Sequence, residues 1–252
     1  RVTALVIPLH DPVRVAEDIA VADLLGGGRL EVVIAAGYVA DEFAMFGRSL
    51  DERGRLVEDG VAMVRAALAG ETVERGGVEF RVTPAPSRPG GPRILIGGHS
   101  APAARRAARL ADGFAPTGDK ALDAYRAECE RLGVEPYVDL DMSRGKFVFI
   151  SEDPDADWER IRPHAVHEAA SYAAWVTAGG VDSPYAEIDA EALRRDGAYE
   201  ILTPAEAIER AREAPAGASF ELHPLMGGLP AELGWESLRR FERQVLPALR
   251  DL

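Results

Sequence analysis

Apolar positions along this chain follow two rhythms. Short runs of β-branched and aliphatic residues are followed by stretches in which apolar residues recur every three or four positions. The first run covers residues 2–9 and ends at His10. Asp11 then offers an N-cap oxygen. Pro12 suits the first helical position, where its missing N–H costs nothing. Val15, Ile19 and Ala22 continue at helical spacing until Gly26-Gly27-Gly28 stops the helix. Residues 30–36 are largely apolar, as expected of a strand covered on both faces.

The same alternation continues downstream. A loop is expected over 38–52, then a helix over 53–69 with Val57, Val61, Val64 and Leu68 on one face and Gly70 at its end. Gly76-Gly77 sits between short β-prone runs and predicts a hairpin within 72–82. Proline and glycine make 84–92 a loop. Strands follow at 93–96 and 113–115, separated by Gly97-Gly98-His99-Ser100 and an alanine-rich helix to Ala111. A helix at 120–132 precedes a strand at 146–150. A longer helix is expected over 158–177, kinked or restarted at Pro163. Residues 179–195 read as irregular. Thr203 caps a helix over 204–214, a strand is expected at 219–223, and the final helix covers 235–249. Strands alternating with helices imply an α/β fold with a parallel sheet, organised as a single domain over 1–252.

Composition narrows the partners. The net charge of −13 argues against nucleic acid and against anionic membrane surfaces, both of which need basic protein surface. Cys129 is the only cysteine, which excludes an intramolecular disulfide framework and a cysteine zinc site and fits a reducing cytoplasm. No apolar run approaches transmembrane length, and the first residues read as strand rather than as a signal peptide. His164, His167 and Glu168 share a helix, but further metal ligands are not evident, so they read as a solvated helix face. Trp158, Trp175 and Trp235 fall in helical patterns and read as packing residues. No nucleophile elbow, zinc-protease pair or Walker loop is present.

In α/β folds of this kind, ligands collect at the C-terminal ends of the strands. That rule selects Leu9-His10, then Ala35-Ala36-Gly37-Tyr38, Gly97-Gly98-His99-Ser100, and 223–228. In Gly97–Ser100, glycines let the backbone approach a ligand, and Ser100 precedes a helix N-terminus suited to an anion. Read locally, the same four residues also make an ordinary serine-capped turn. Gly37 can serve a ligand or merely turn the chain. His10 can line a pocket or lie on the surface before the helix cap. His99 can donate to a phosphate or substrate or be exposed. The 223–228 segment is a second, weaker anion candidate, because no capping serine or threonine follows closely.

The run IPLHDPVRVAEDIAVADLLGGGRLEVVIAAGYVADEFAMFG resembles the bacterial-luciferase-like family of flavin-dependent oxidoreductases, and ILIGGHSAPAARRAARLADGF is similar to that family's flavin-phosphate segment. The resemblance implies a TIM (β/α)8-type barrel. The pattern supplies six parallel strands, so the first two strands of such a barrel are expected upstream of Val2. The family's active-site histidine would lie on that upstream part, so no catalytic residue is assigned here. The resemblance further implies reduced FMN as cosubstrate, with Gly97, Gly98, His99 and Ser100 at the phosphate and Ala35, Ala36, Gly37 and His10 beside the ring. Relatives often carry arginine at the position of Ala36, so a charge-assisted phosphate contact is absent there. The implied activity is oxidation of a small organic substrate with O2, the flavin being reduced by a separate reductase. A deazaflavin coenzyme transferring hydride on the same barrel is the alternative, and a non-catalytic flavin- or partner-binding barrel is a third. A homodimer is implied as well.

Overall fold

The computed structural model describes residues 1–116, 121–138, 147–180, 183, 185, 187–214 and 222–249. Its contacts group into two compact units, Arg1–Arg144 and Gly145–Leu252.

The first unit begins with β1 (Val2–Val6), which is shorter than the apolar run, because Ile7–Leu9 tightens into a 3-10 turn around Pro8. Pro8 has no N–H to give to a strand ladder. Helix α1 (Pro12–Leu25) starts at Asp11, whose carboxylate accepts from the N–H of Val13 at 2.9 Å and of Arg14 at 3.4 Å. Next come β2 (Glu31–Ala35), a short α2 (Ala40–Met45) within the expected loop, and α3 (Arg53–Leu68). Helix α2 has Asp41 and Glu42 in its first turn and is anchored by buried Phe43. The hairpin β3 (Val73–Arg75) and β4 (Val78–Phe80) turns at Gly76-Gly77, both at positive φ. Then follow β5 (Arg93–Gly98), α4 (Ala101–Leu110), β6 (Gly113–Pro116) and α5 (Leu122–Leu132). The start predicted for α5 at residue 120 lies outside the described residues.

These strands pair in parallel in the order β1-β2-β5-β6. Alternate residues of each strand face opposite sides. Val32, Ile34, Ile94, Ile96 and Phe114 join the main apolar cluster with α1, α3, α4 and α5. Val33, Leu95 and Ala115 form a smaller cluster on the other face, with Tyr137 packed against it. Burial on both faces accounts for the nearly continuous apolar runs.

The second unit contains β7 (Phe147–Ile150), α6 (Pro154–Ala178), α7 (Ala190–Arg195), β8 (Tyr199–Leu202), α8 (Pro204–Glu213), α9 (Ala231–Arg240) and α10 (Leu246–Leu249), the last two joined by a π-helical turn, Phe241–Val245. Strands β7 and β8 are parallel. The sequence reading did not anticipate β8, a four-residue strand between Gly197 and the Thr203-Pro204 cap. Residues 219–221 of the strand expected at 219–223 are outside the described residues, while Leu222 bridges Val148 in parallel. Residue 146 of the strand predicted at 146–150 is likewise outside them. Helix α6 does not restart at Pro163. Asp153 caps it, and buried Trp158, Ile161, Ala165 and Ala169 hold it through the proline. Trp175 and Trp235 are exposed, so of the three tryptophans only Trp158 packs in the interior. Thr203 and Glu206 form a full capping box at the start of α8.

Candidate functional site

Because β1, β2, β5 and β6 are parallel, their C-terminal ends lie along one edge of the sheet. That edge carries His10, Ala35-Ala36-Gly37 and Gly97-Gly98-His99-Ser100. Val6 pairs with Ala35, Ile34 with Ile96, and Gly97 with Ala115. Ala35, Gly97 and Ala115 therefore form a row across the sheet, on the face shared with Val33 and Leu95. Small residues leave this row low, where Val33 and Leu95 stand earlier in β2 and β5. A Cβ at Gly97 would project into it, 3.2 Å from Val33 Cγ1 and 3.6 Å from the Ala115 carbonyl oxygen. Ala36 points the other way and packs against the main apolar cluster.

Two glycines on this edge are required by their surroundings. Gly37 has φ of +76°, and a Cβ there would meet Val6 Cγ1 at 2.8 Å and the Phe43 ring at 2.9 Å. A Cβ at Gly98 would meet Ala103 Cβ at 2.8 Å, so this glycine lets the strand turn tightly into α4. Ser100 caps that helix, its Oγ accepting from the Ala103 N–H at 3.4 Å. The first N–H groups of a helix have no intrahelical acceptor. Here Pro102 has none to offer and Ala103 uses Ser100, which leaves the N–H groups of Ser100 and Ala101 at the dipole's positive end. His99 is exposed and Ser100 half-buried. His10 is exposed, and its N–H closes the 3-10 turn onto the Ile7 carbonyl at 3.0 Å.

The donor set fits the phosphate end of a flavin-type coenzyme: two helix N-terminal N–H groups, a serine hydroxyl, and no carboxylate within Gly97–Ser100. Of the small-residue row beside it, Ala35 and Gly97 are half-buried and offer a low surface to a flat ring system, while Ala115 is fully buried. No group of histidine, cysteine and carboxylate side chains able to hold a metal ion occurs among the described residues.

The second unit holds a different kind of cluster. Glu168 on α6 accepts from the Tyr199 hydroxyl at 2.9 Å and the Gly227 N–H at 2.8 Å, and its carboxylate also meets His223 Nε2 at 2.8 Å. Burial opposes ionisation of Glu168, but the bonds from His223, Gly227 and Tyr199 outweigh it and hold the carboxyl below its usual range. Burial, together with Tyr185 and Glu168, pushes the Tyr199 phenol up. The Phe147 ring stacks on His223 at 4.3 Å between centroids. His164 Nδ1 lies 3.2 Å from the Gly227 carbonyl oxygen. His164 and Glu168 are thus committed to internal contacts, which corrects the reading of a solvated face; His167 alone of the three is exposed. The anion candidate at 223–228 is corrected in the same way: its glycine N–H already binds an anion, the chain's own Glu168. Tyr199 was missed with its strand, and the pairing of Glu168 with residues 55 and 59 positions away left no local signal.

The sequence profile described as luciferase-like monooxygenase matches residues 2–223. The chain belongs to that family. An uncharacterized protein of Mycobacterium bovis is 30% identical over 138 residues, covering 52% of this chain and 47% of the relative. An uncharacterized protein of Mycobacterium tuberculosis matches to the same extent. The match spans about half the length of these curated relatives. Among solved structures, the monooxygenase RslO1 from Streptomyces bottropensis aligns with a TM-score of 0.63 at 22% identity, over 97% of this chain and 76% of that one. The oxygenating constituent of 3,6-diketocamphane monooxygenase from Pseudomonas putida, in complex with FMN, gives 0.61 at 17% identity, over 97% and 78%. An F420-dependent secondary alcohol dehydrogenase with an F420-acetone adduct gives 0.59 at 16%, over 100% and 78%. At these identities the likeness concerns the fold, and it assigns this family member the α/β luciferase-like architecture expected from its sequence. No helix among the described residues is long and apolar enough to cross a membrane.

Proposed function

We propose that this luciferase-like protein is a flavin-dependent oxidoreductase that uses reduced FMN and O2 to oxidise a small organic substrate. The observation that carries the reading is the turn Gly97–Ser100, where a strand of the parallel sheet ends in two glycines and a serine-capped helix N-terminus beside a low row of small residues. A bound flavin supplies two-electron chemistry that no side chain of this chain can perform. The protein's part is to bind and orient it. The N–H groups of Ser100 and Ala101 and the Ser100 hydroxyl hold the phosphate, and the α4 dipole adds to the attraction. Ala35 and Gly97 support the ring, Gly37 keeps the β2 end close to Val6 and Phe43, and His10 and His99 flank the opening. With Ala36 in place of a cation, affinity for the phosphate rests on the backbone donors and the Ser100 hydroxyl. The reading includes a homodimer and a separate reductase that delivers the reduced flavin.

A deazaflavin coenzyme is the second reading, favoured by the same geometry, since the turn recognises a phosphate and not the ring. Anaerobic titration of the chain with reduced FMN and, in parallel, with a reduced deazaflavin coenzyme separates the two. Saturable binding of reduced FMN, followed by consumption of O2 on mixing with air and a candidate substrate, is the expected result. Binding of neither coenzyme overturns both readings and leaves a non-catalytic barrel.

A further inference from the structure

The opposite, N-terminal edge of the first unit's sheet carries a cavity of about 510 Å³ whose lining has the wrong charge for this chain. Acidic residues outnumber basic ones 42 to 29 overall, yet the cavity is lined by Arg65, Arg88 and Arg93 with Asp112 and Tyr137. The three guanidinium groups come from α3, the loop before β5, and the first residue of β5. All three residues line the one cavity, beside a tight turn from Arg88 to Gly91: the Gly91 N–H donates to the Arg88 carbonyl at 2.9 Å, and Gly91 has φ of +84°. A Cβ on Gly91 would strike Leu68 at 2.9 Å, so only glycine lets this turn lie against the end of α3.

Two of the three arginines are held in place. Arg65 donates through Nε to the Leu110 carbonyl at 2.8 Å and pairs with Asp112 at 3.0 Å. Arg93 lies over the Tyr137 ring at 4.3 Å and approaches Glu31 at 3.4 Å, where Arg1 already pairs at 2.7 Å. Arg88 is exposed and holds a 3.4 Å contact to the Leu30 carbonyl. The Asp112 carboxylate is engaged on both oxygens, one with Arg65 and the other accepting from the Ile94 N–H at 2.8 Å. Each guanidinium carries five N–H donors in a planar fork, so these contacts leave most of the donors for a ligand. Guanidinium forks match the spacing of oxygens on phosphoryl and carboxylate groups. Fixed side chains lose little entropy when a ligand arrives.

We infer that this cavity is a second ligand site, selective for a small multivalent oxyanion, on the edge of the sheet opposite to the proposed flavin turn. Phosphoryl and polycarboxylate ligands present the same chemistry to the three forks. The binding is electrostatic and weakens as salt rises.

The test is calorimetric titration of the whole chain at low ionic strength with pyrophosphate in one arm and citrate in the other. One-site saturable binding of at least one of them is expected, and the tighter of the two identifies phosphoryl or polycarboxylate as the preferred group. Arg88→Gln, at an exposed position with one long contact, is expected to weaken that binding at least fivefold while leaving the thermal unfolding midpoint and reduced-FMN binding unchanged. Arg93→Lys keeps the charge and loses the fork, and is expected to weaken it as well. Absence of saturable binding in both arms, or a loss below fivefold in Arg88→Gln, overturns the inference. Because FMN binding is read separately, failure of this site and failure of the flavin reading are distinguishable.

Discussion

Two turns in this molecule look alike on paper and are used differently. Both follow a strand or bridge position, contain a histidine and a glycine pair, and are candidates for an anion. At Gly97–Ser100 the turn carries no carboxylate, His99 is exposed, and the N–H groups opening α4 remain for a ligand. At 223–228 the Gly227 N–H and the His223 ring both meet Glu168. The first is built from backbone and small residues and keeps its capacity for an external anion. The second has its anion built in, supplied by α6, and serves to hold the chain together. Glycine and histidine after a strand therefore say that negative charge is welcome, and only the distant residues say whose charge it is.

Breaking the second turn should have the largest effect. Gly227 has φ of +46°, and a Cβ there would run into the His164 carbonyl oxygen. Gly227→Ala combines an unfavourable backbone region with a clash against main chain, and is expected to cost about 3 kcal/mol or more in chemical denaturation. The matching change on the first edge, Gly37→Ala, meets side chains of Val6 and Phe43 rather than main chain. It is expected to cost about 2 kcal/mol in the same assay and to weaken reduced-FMN binding, whereas Gly227→Ala leaves the α4 turn itself unaltered.

Removing the internal charge sharpens the contrast. Glu168→Gln keeps the shape but turns charge-assisted bonds into neutral ones, and is expected to cost about 2 kcal/mol at neutral pH. The folded-state pKa of Glu168 lies below its unfolded value. Its ionised form therefore contributes stability that is fully present above about pH 4.5 and is lost as pH falls through the folded value. Denaturation of wild type and Glu168→Gln from pH 7 downward should show the gap between them closing in that acidic range. A constant gap would mean that shape, not charge, sets the role of Glu168.

The smallest effect on stability is expected at Ser100. Its capping bond is long, at 3.4 Å, so Ser100→Ala should cost about 0.5 kcal/mol of stability. The same change removes a hydroxyl from the proposed phosphate site and should weaken reduced FMN by about fivefold, a charge-assisted bond being worth about 1 kcal/mol or more. Loss of stability without loss of affinity would reduce Ser100 to a cap.

Much of the first unit was legible in residue order. Asp11-Pro12, Gly26–Gly28, Gly76-Gly77 and Ser100 are local signals, because a cap or a positive-φ turn is decided by a few neighbouring atoms. Continuous apolar runs announced β2 and β5 because both faces of those strands are covered. Strand β8 was not seen, because Tyr199-Glu200-Ile201-Leu202 is short and its pairing with β7 comes from more than fifty residues away. The short helix α2 was missed for a related reason: it depends on burial of Phe43, which contacts near Gly37 provide.

Residue order alone determined the α/β alternation, the caps of α1, α4 and α8, the family, and the turn that opens α4, since each depends on local stereochemistry or on motif identity. Tertiary structure decided that Ala35, Gly97 and Ala115 share one row, that Glu168 occupies the 223–228 turn, and that three arginines line one cavity at the far edge of the sheet. Those facts depend on strand register and helix docking, which bring together residues whose separation along the chain carries no mark of their meeting.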